Sequence, residues 1–402
     1  MKILLTDGSS LASRQTAGLL HAGGHRVDTL GGTGFGLAAM TRAIGTRYRI
    51  TPYGRDPITW VQEALRIAQD GEYDVLLPTQ EQAAALSACA DLVEDSGVRT
   101  VVPPFAALRK LQDKVSAAAT LAEFGVDTPA THIVTAEGIQ TWDRFPIYAK
   151  QPVATGSTGV VLARNRAELP SIASGEELVM QQPTAGQLVM AQSVWRHGEL
   201  VAAHANERLA EGSGGGASRK RSLARDDVLA PLHRIGSELR WHGALCADLI
   251  LTSDGPLVID VNPRLVEPAN AAASGVDLLG ALMAAAFDQA APQPASIPEV
   301  RTHQLLLALT GAADSGSSRR RIAAEAVNGV LRRGPYRGSR EELTPVRGGE
   351  WRSAALLAAI TATLIARPSA WRSLTNDTVS SYALSPEGWA ALVDYASECD
   401  RT

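Results

Sequence analysis

The first hundred residues alternate short apolar strands with amphipathic helices, and this rhythm constrains the fold more than any other feature of the chain. Lys2–Thr6 reads as a strand, Leu11–Ala22 as a helix stopped by Gly23 and Gly24, and His25–Leu30 as a second strand. Ile58–Ala68 has a helical apolar face. Asp74–Leu77 and Thr100–Val102 are strands that each run into proline, with a helical Gln80–Leu92 between them. Strands separated by helices need crossovers, so they form a parallel sheet with helices on its faces. The loops Asp7–Ser10 and Pro78–Glu81 then lie at the carboxyl edge of that sheet, where ligands bind in such folds. Asp7 and Glu81 themselves are expected to be caps or turn residues.

After a helical stretch, Phe105–Phe124, closed by Gly125 and Pro129, the pattern turns to strands. These are His132–Val134, Ile147–Ala149, Val160–Leu162, Leu178–Gln182, Leu188–Val194 and Leu200–Ala205. A helix (Leu229–Leu239), two strands (Ala244–Leu251 and Leu257–Val261) and another helix (Val276–Phe287) follow. Ala290–Pro298 is rich in proline and reads as a linker. Beyond it lie helical runs, Ala323–Leu331, Arg352–Ala366 and Gly388–Tyr395, between Gly/Arg-rich turns.

Several functions are disfavoured at once. The net charge is −4 with no long basic stretch, so no nucleic-acid partner is expected. No apolar run approaches membrane-spanning length, and the N-terminal run stops at Asp7, too short for a secretion signal. Three scattered cysteines give neither a disulfide framework nor zinc spacing, and the expected compartment is the cytoplasm. The glycines of Gly31–Gly36 lack dinucleotide spacing and follow the second strand, so they read as a loop; no Walker A motif is present.

The basic residues are unevenly divided, 5 lysines against 33 arginines, which draws attention to each lysine in a motif. Asp113-Lys114 lies on the helix entering the middle region, and Lys150 ends a strand before Gln151-Pro152. Thr155, Gly156, Ser157, Thr158, Gly159 and Val160 form a small-residue loop able to turn successive N–H groups toward a phosphate. A strand then leaves through Met180, Gln181, Gln182 and Pro183. Asp248 lies on one strand, and Asp260 and Asn262, two apart on the next, share a face. Two carboxylates and an amide make an oxygen cage of the kind Mg²⁺ takes beside phosphates. Lysines, glycine loop and acidic pair together describe a nucleotide-phosphate site.

This series, with the Gly-rich GSGGGASRKR and the D-x-N-P-R motif, resembles the ATP-grasp superfamily over residues 1 to about 290. The resemblance implies an α/β protein in three parts. Residues 1–104 would be a parallel-sheet pre-ATP-grasp domain, 105–292 a two-lobed ATP-grasp α+β core, and 299–402 a mostly helical C-terminal region. Lys114 and Lys150 would hold ATP phosphates under the flap Thr155–Val160, and the backbone of Met180–Pro183 would read adenine near a ribose contact at Gln187. Asp248, Asp260 and Asn262 would bind Mg²⁺ or Mn²⁺, although the family usually has glutamate where the two aspartates stand. Arg264 would meet a carboxylate or the transferring phosphoryl group, and Lys220, in a basic loop, would approach substrate. The implied reaction is activation of a small-molecule carboxylate as an acyl phosphate and its capture by an amine, with a homodimer among the expected assemblies. The alternatives are a non-amine nucleophile or a carboxylase-type reaction, and a catalytically silent nucleotide-binding protein.

Overall fold

A computed structural model of the protein describes residues 1–31, 40–154, 159–173, 175–316, 318–343, 350–373, 382–399 and 401. Strands β1 (Lys2–Leu5), β2 (Arg26–Leu30), β3 (Arg47–Tyr48) and β4 (Val75–Leu77) form a parallel sheet in the order β3-β2-β1-β4. Ile3 and Leu5 enter one apolar core and Leu4 the other, so both faces are covered, as the alternating sequence requires. Thr100–Val102 forms no strand, although Arg99 O accepts the Leu76 N–H at 2.9 Å. The expected helix Gln80–Leu92 breaks at Cys89 into Gln82–Ala88 and Ala90–Ser96.

The small antiparallel sheet contains β5 (Thr131–Thr135), β6 (Ile147–Lys150), β7 (Val160–Ala163) and β8 (Glu177–Gln181) in the order β5-β8-β6-β7. It has its own core of Ile147, Ala149, Ala163, Leu178 and Met180. The large sheet contains β9 (Gln187–Arg196), β10 (Glu199–Glu211), β11 (Ala217–Leu223), β12 (Gly243–Leu251), β13 (Pro256–Asn262), β14 (Arg301–His303) and β15 (Arg340–Glu341). Their order is β13-β12-β9-β10-β11-β14-β15, antiparallel except for the last pair.

Strands β14 and β15 were not expected from the sequence, since two- and three-residue edge strands carry no readable period. They attach the region after residue 300 to the large sheet. Helices Leu305–Asp314, Arg319–Leu331 and Trp351–Ala366 pack there around Leu309, Ile322, Tyr336 and Leu364. The last helix, Pro386–Cys399, returns to the first domain, where Leu384 and Leu392 join its core. Among the described residues no helix is long and apolar enough to cross a membrane.

Candidate active site

The helical stretch Phe105–Phe124 is two helices, and its break places the first lysine. Asp113 accepts the N–H groups of Val115 (2.7 Å) and Ser116 (3.1 Å), so Lys114 opens the helix Lys114–Glu123. The Lys114 N–H is held by Pro152 O at 2.9 Å, and its ammonium lies 3.2 Å from Asp260 Oδ1. Burial alone would lower the ammonium pKa; the Asp260 carboxylate outweighs it, and the net shift is upward.

Lys150, at the end of β6, is buried and donates to Gln181 Oε1 (2.8 Å) and Ile259 O (2.6 Å). Among the described residues no carboxylate is within ion-pair distance of it. Burial lowers its pKa, and the nearby Lys114 charge adds to that against the pull of Asp260. A buried ammonium held only by neutral oxygens is arranged to gain from an incoming anion.

Helix Lys114–Glu123, the small sheet and β13 line a cleft. Its walls are Ala117, Ala118, Leu121, Val179 and Val258, with the two lysines at one end. Lys114, Asp260 and Val261 also line a second, polar cavity that reaches Glu81, Gln112, Asn262 and Arg264. The two cavities share these three residues, so a largely apolar slot borders a charged chamber.

At the junction, Asp248 and Asp260 are direct cross-strand partners, and Cys246 pairs with Asn262. Burial and then the Asp260 charge push the Asp248 carboxyl up to about 7. Asp260 goes the other way: burial raises it, but Lys114 and Lys150 hold it below the usual range. Among the described residues no three His, Cys, Asp or Glu side chains converge as a metal cluster. The donor set is therefore two opposed carboxylates and the Asn262 amide, all oxygen, which fits a hard divalent cation completed by water and phosphate. Arg264 Nη2 donates to Asn262 Oδ1 at 3.3 Å, and Arg264 Nε lies 3.5 Å from Glu81 Oε1.

A family model described as an ATP-grasp domain matches residues 111–268, which span both sheets' contributions to this cleft. These residues are an ATP-grasp domain. Solved structures agree in fold. The biotin carboxylase domain of a 2-oxoglutarate carboxylase from Hydrogenobacter thermophilus, solved with MgADP, superposes with a TM-score of 0.58 at 14% identity, covering 74% of this chain and 72% of that one. N5-carboxyaminoimidazole ribonucleotide synthetase from Thermotoga maritima gives 0.55 at 17% identity, over 75% and 79%. An L-amino acid ligase from Bacillus licheniformis gives 0.54 at 14% identity, over 72% and 77%. No curated protein sequence matches the chain.

Within the ATP-grasp domain the remaining expected residues fall in different places. Thr155, Gly156, Ser157 and Thr158 lie outside the described residues; Gly159 O accepts the Gln151 N–H at 2.8 Å, and Val160 lines the polar cavity. Met180 is buried in the small-sheet core, so its backbone alone is available at the strand exit. Gln181 holds Lys150 and, through Nε2, Thr131 Oγ1 at 3.1 Å. The Gln182 N–H is bonded to Ala130 O, and Pro183 follows in irregular backbone. The Gln187 amide turns onto the carbonyls of Arg208 and Leu188.

Lys220 departs from its expected placement. The basic tract Arg219–Arg221 is strand β11, not a loop, and its alternation buries Ser218, Lys220 and Ser222. The Lys220 ammonium, with its side chain 1% exposed, is enclosed by Glu267 and by Glu342 at 2.8 Å. Burial would lower its pKa, and the two carboxylates raise it instead. It ties Glu267 to Glu342. Asp7 is a turn residue, accepting from Ser9, Ser10 and Ser13, while Ser10 is the helix N-cap. Glu81 does not stay a plain turn residue: it lines the polar cavity and faces Arg264.

Proposed function

We propose that this protein is an ATP- and Mg²⁺-dependent ligase that activates a small-molecule carboxylate as an acyl phosphate and couples it to an amine. The observation that carries the reading is the convergence of Lys114 and Lys150 on the Asp260 end of β13, where the apolar slot meets the chamber holding Arg264. The slot walls would take the adenine. Lys150, short of anionic partners, would take a phosphate oxygen, and Lys114 would exchange its hold on Asp260 for one. Asp248, Asp260 and Asn262 would hold the metal, which when bound neutralises phosphate charge. Arg264 would bind the acid's carboxylate next to the γ-phosphate, so that positioning and charge neutralisation supply most of the rate. Release of the acyl phosphate's phosphate by an amine completes the coupling.

The test is ADP and phosphate release across acid and amine pairs, with product identified by mass. Asp260→Ala with Asn262→Ala is expected to abolish turnover; full activity would sink the metal assignment. A second reading keeps the site and makes bicarbonate the acid, favoured by the fold likeness to the biotin carboxylase domain and the ribonucleotide synthetase. Bicarbonate-dependent ADP release without any organic acid would select it. A homodimer is proposed for the assembly, to be measured by light scattering.

A further inference from the structure

Helix Arg319–Leu331, in the C-terminal region, is apolar on two opposite sides. Its inner side carries Ile322, buried in the local core, and Gly329, where a Cβ would meet the Leu305 side chain. Half a turn away, Arg320, Ala324, Val327 and Leu331 are all exposed, and their spacing places them on one outermost ridge. Val327 is 52% exposed, Leu331 51%, and Val330 beside them 71%. A surface helix packed on one side ordinarily carries polar residues on the other. Single scattered aliphatic side chains would need no explanation, but here three stand together.

The charges around this ridge are sorted by sign. Arginines stand at 319–321 at one end of the helix and at 332 and 333 at the other, about 20 Å away, with Arg337 and Arg340 following. All are exposed, and among the described residues none makes an ion pair or a side-chain hydrogen bond. The acidic residues of the same stretch turn inward instead. Glu325 accepts the Tyr336 hydroxyl, which ties the arginine-bearing turn back to the helix. Glu341 lies 3.3 Å from His303 and accepts the Leu305 N–H at 3.1 Å. Glu342 is held by Lys220 and by Gln15 at 2.9 Å. Outside the described residues the only acidic side chains in the sequence are Asp377 and Asp400, too few to balance the arginines. In a chain of net charge −4, unpaired positive charge is therefore gathered around one apolar centre.

We propose that this ridge is the docking site for a separate protein that presents carboxylates around a small apolar patch. Protein interfaces have this layout, an apolar centre inside a charged rim. Arginine suits them because its planar fork takes a carboxylate with two hydrogen bonds. A nucleic acid would use the arginines for its phosphates and leave the aliphatic centre idle. Helices that lie on a membrane bury a broader face rich in Trp, Phe and Leu, and this ridge carries no aromatic side chain. A second copy docked about a two-fold axis would set arginine against arginine.

The experiment is fluorescence anisotropy on the full chain with labelled probes. These are a helical peptide of leucine and glutamate with one apolar face, the same peptide with glutamine for glutamate, poly-glutamate, and a short DNA duplex. Phosphatidylserine vesicles are assayed beside them by flotation. The leucine–glutamate peptide is expected to bind about tenfold or more tightly than each of the others, since it alone offers both halves of the complement. Arg320→Glu with Arg333→Glu should weaken it about tenfold or more, and so should Val327→Ser with Leu331→Ser, at unchanged melting temperature. If charge reversal lowers the melting temperature, Arg320→Gln with Arg333→Gln removes the charges more gently and is expected to weaken binding in the same direction. Equal binding of the two peptides, tighter binding of DNA or vesicles, or variants that bind like the original chain would overturn the proposal. So would a dimer that dissociates in the Val327→Ser, Leu331→Ser variant, because it assigns the ridge to a second copy.

Discussion

Lys150 and Lys220 are both buried lysines on strands of the ATP-grasp domain, and their partners are opposite in kind. Lys150 has an amide oxygen and a backbone carbonyl, and its pKa is lowered. Lys220 has two carboxylates, and its pKa is raised. A satisfied ammonium has nothing to gain from a ligand, whereas one facing neutral oxygens gains a counter-charge when a phosphate arrives. Burial alone therefore says little about a lysine's role; the formal charge of its partners says more. The same contrast separates two regions, the cleft end where Lys150 meets neutral oxygens and the buried cluster where two carboxylates share Lys220.

The largest effect expected from this contrast is on stability. Lys220→Met leaves Glu267 and Glu342 buried without a cation, and should cost about 3–5 kcal/mol in denaturant unfolding. Adding Glu342→Gln to that variant should recover part of the loss, because one stranded carboxylate is removed with it. Lys150→Met should behave in the reverse sense. Folding stability should be kept or improved, while kcat/KM for ATP falls on the order of a hundredfold or more. If Lys150→Met unfolds the protein and Lys220→Met only slows it, the comparison is broken.

These two lysines also mark what could be read from the chain. Lys114, Lys150, Asp248, Asp260, Asn262 and Arg264 sit in short motifs whose spacing carries their geometry, because strand alternation and one helix cap place them. Lys220 lay in a Gly-rich segment too, but its direction depends on the pairing of β11 with β10 and β14, which local sequence does not encode. Glu81 reaches Arg264, and Glu267 reaches Lys220, only through tertiary structure. The N-terminal parallel sheet was legible from its period; the added strands β14 and β15 were too short to have one.

Two smaller effects concern the last helix and two buried histidines. Gly388→Ala would push a methyl group into Gly54 O, and is expected to cost about 1–3 kcal/mol by overpacking. The loss should appear as a lower melting temperature. The smallest concerns pH. His204 is held down to about 4, first by burial, with its Asn270 hydrogen bond opposing and the Lys220 charge adding to the depression. His303 is likewise held to about 4 by burial. In the unfolded chain both rings protonate near 6.5, so the unfolded state takes up protons first. Their contribution is intact above about pH 6.5 and is lost as the pH falls toward 4, which melting curves across that interval should show. Lys220→Met should flatten the slope, because one repulsive charge on His204 is gone.

The docking of the last helix on the first domain has a consequence for synthesis. A chain is made from its N-terminus, and domains fold as they emerge. Helices Pro57–Asp70 and Gln82–Ala88 are therefore complete long before Leu384, Trp389 and Leu392 exist to cover them. Until then the nascent first domain displays an apolar surface, and ribosome-bound chains ending before residue 380 should be captured by holdases more readily than longer ones.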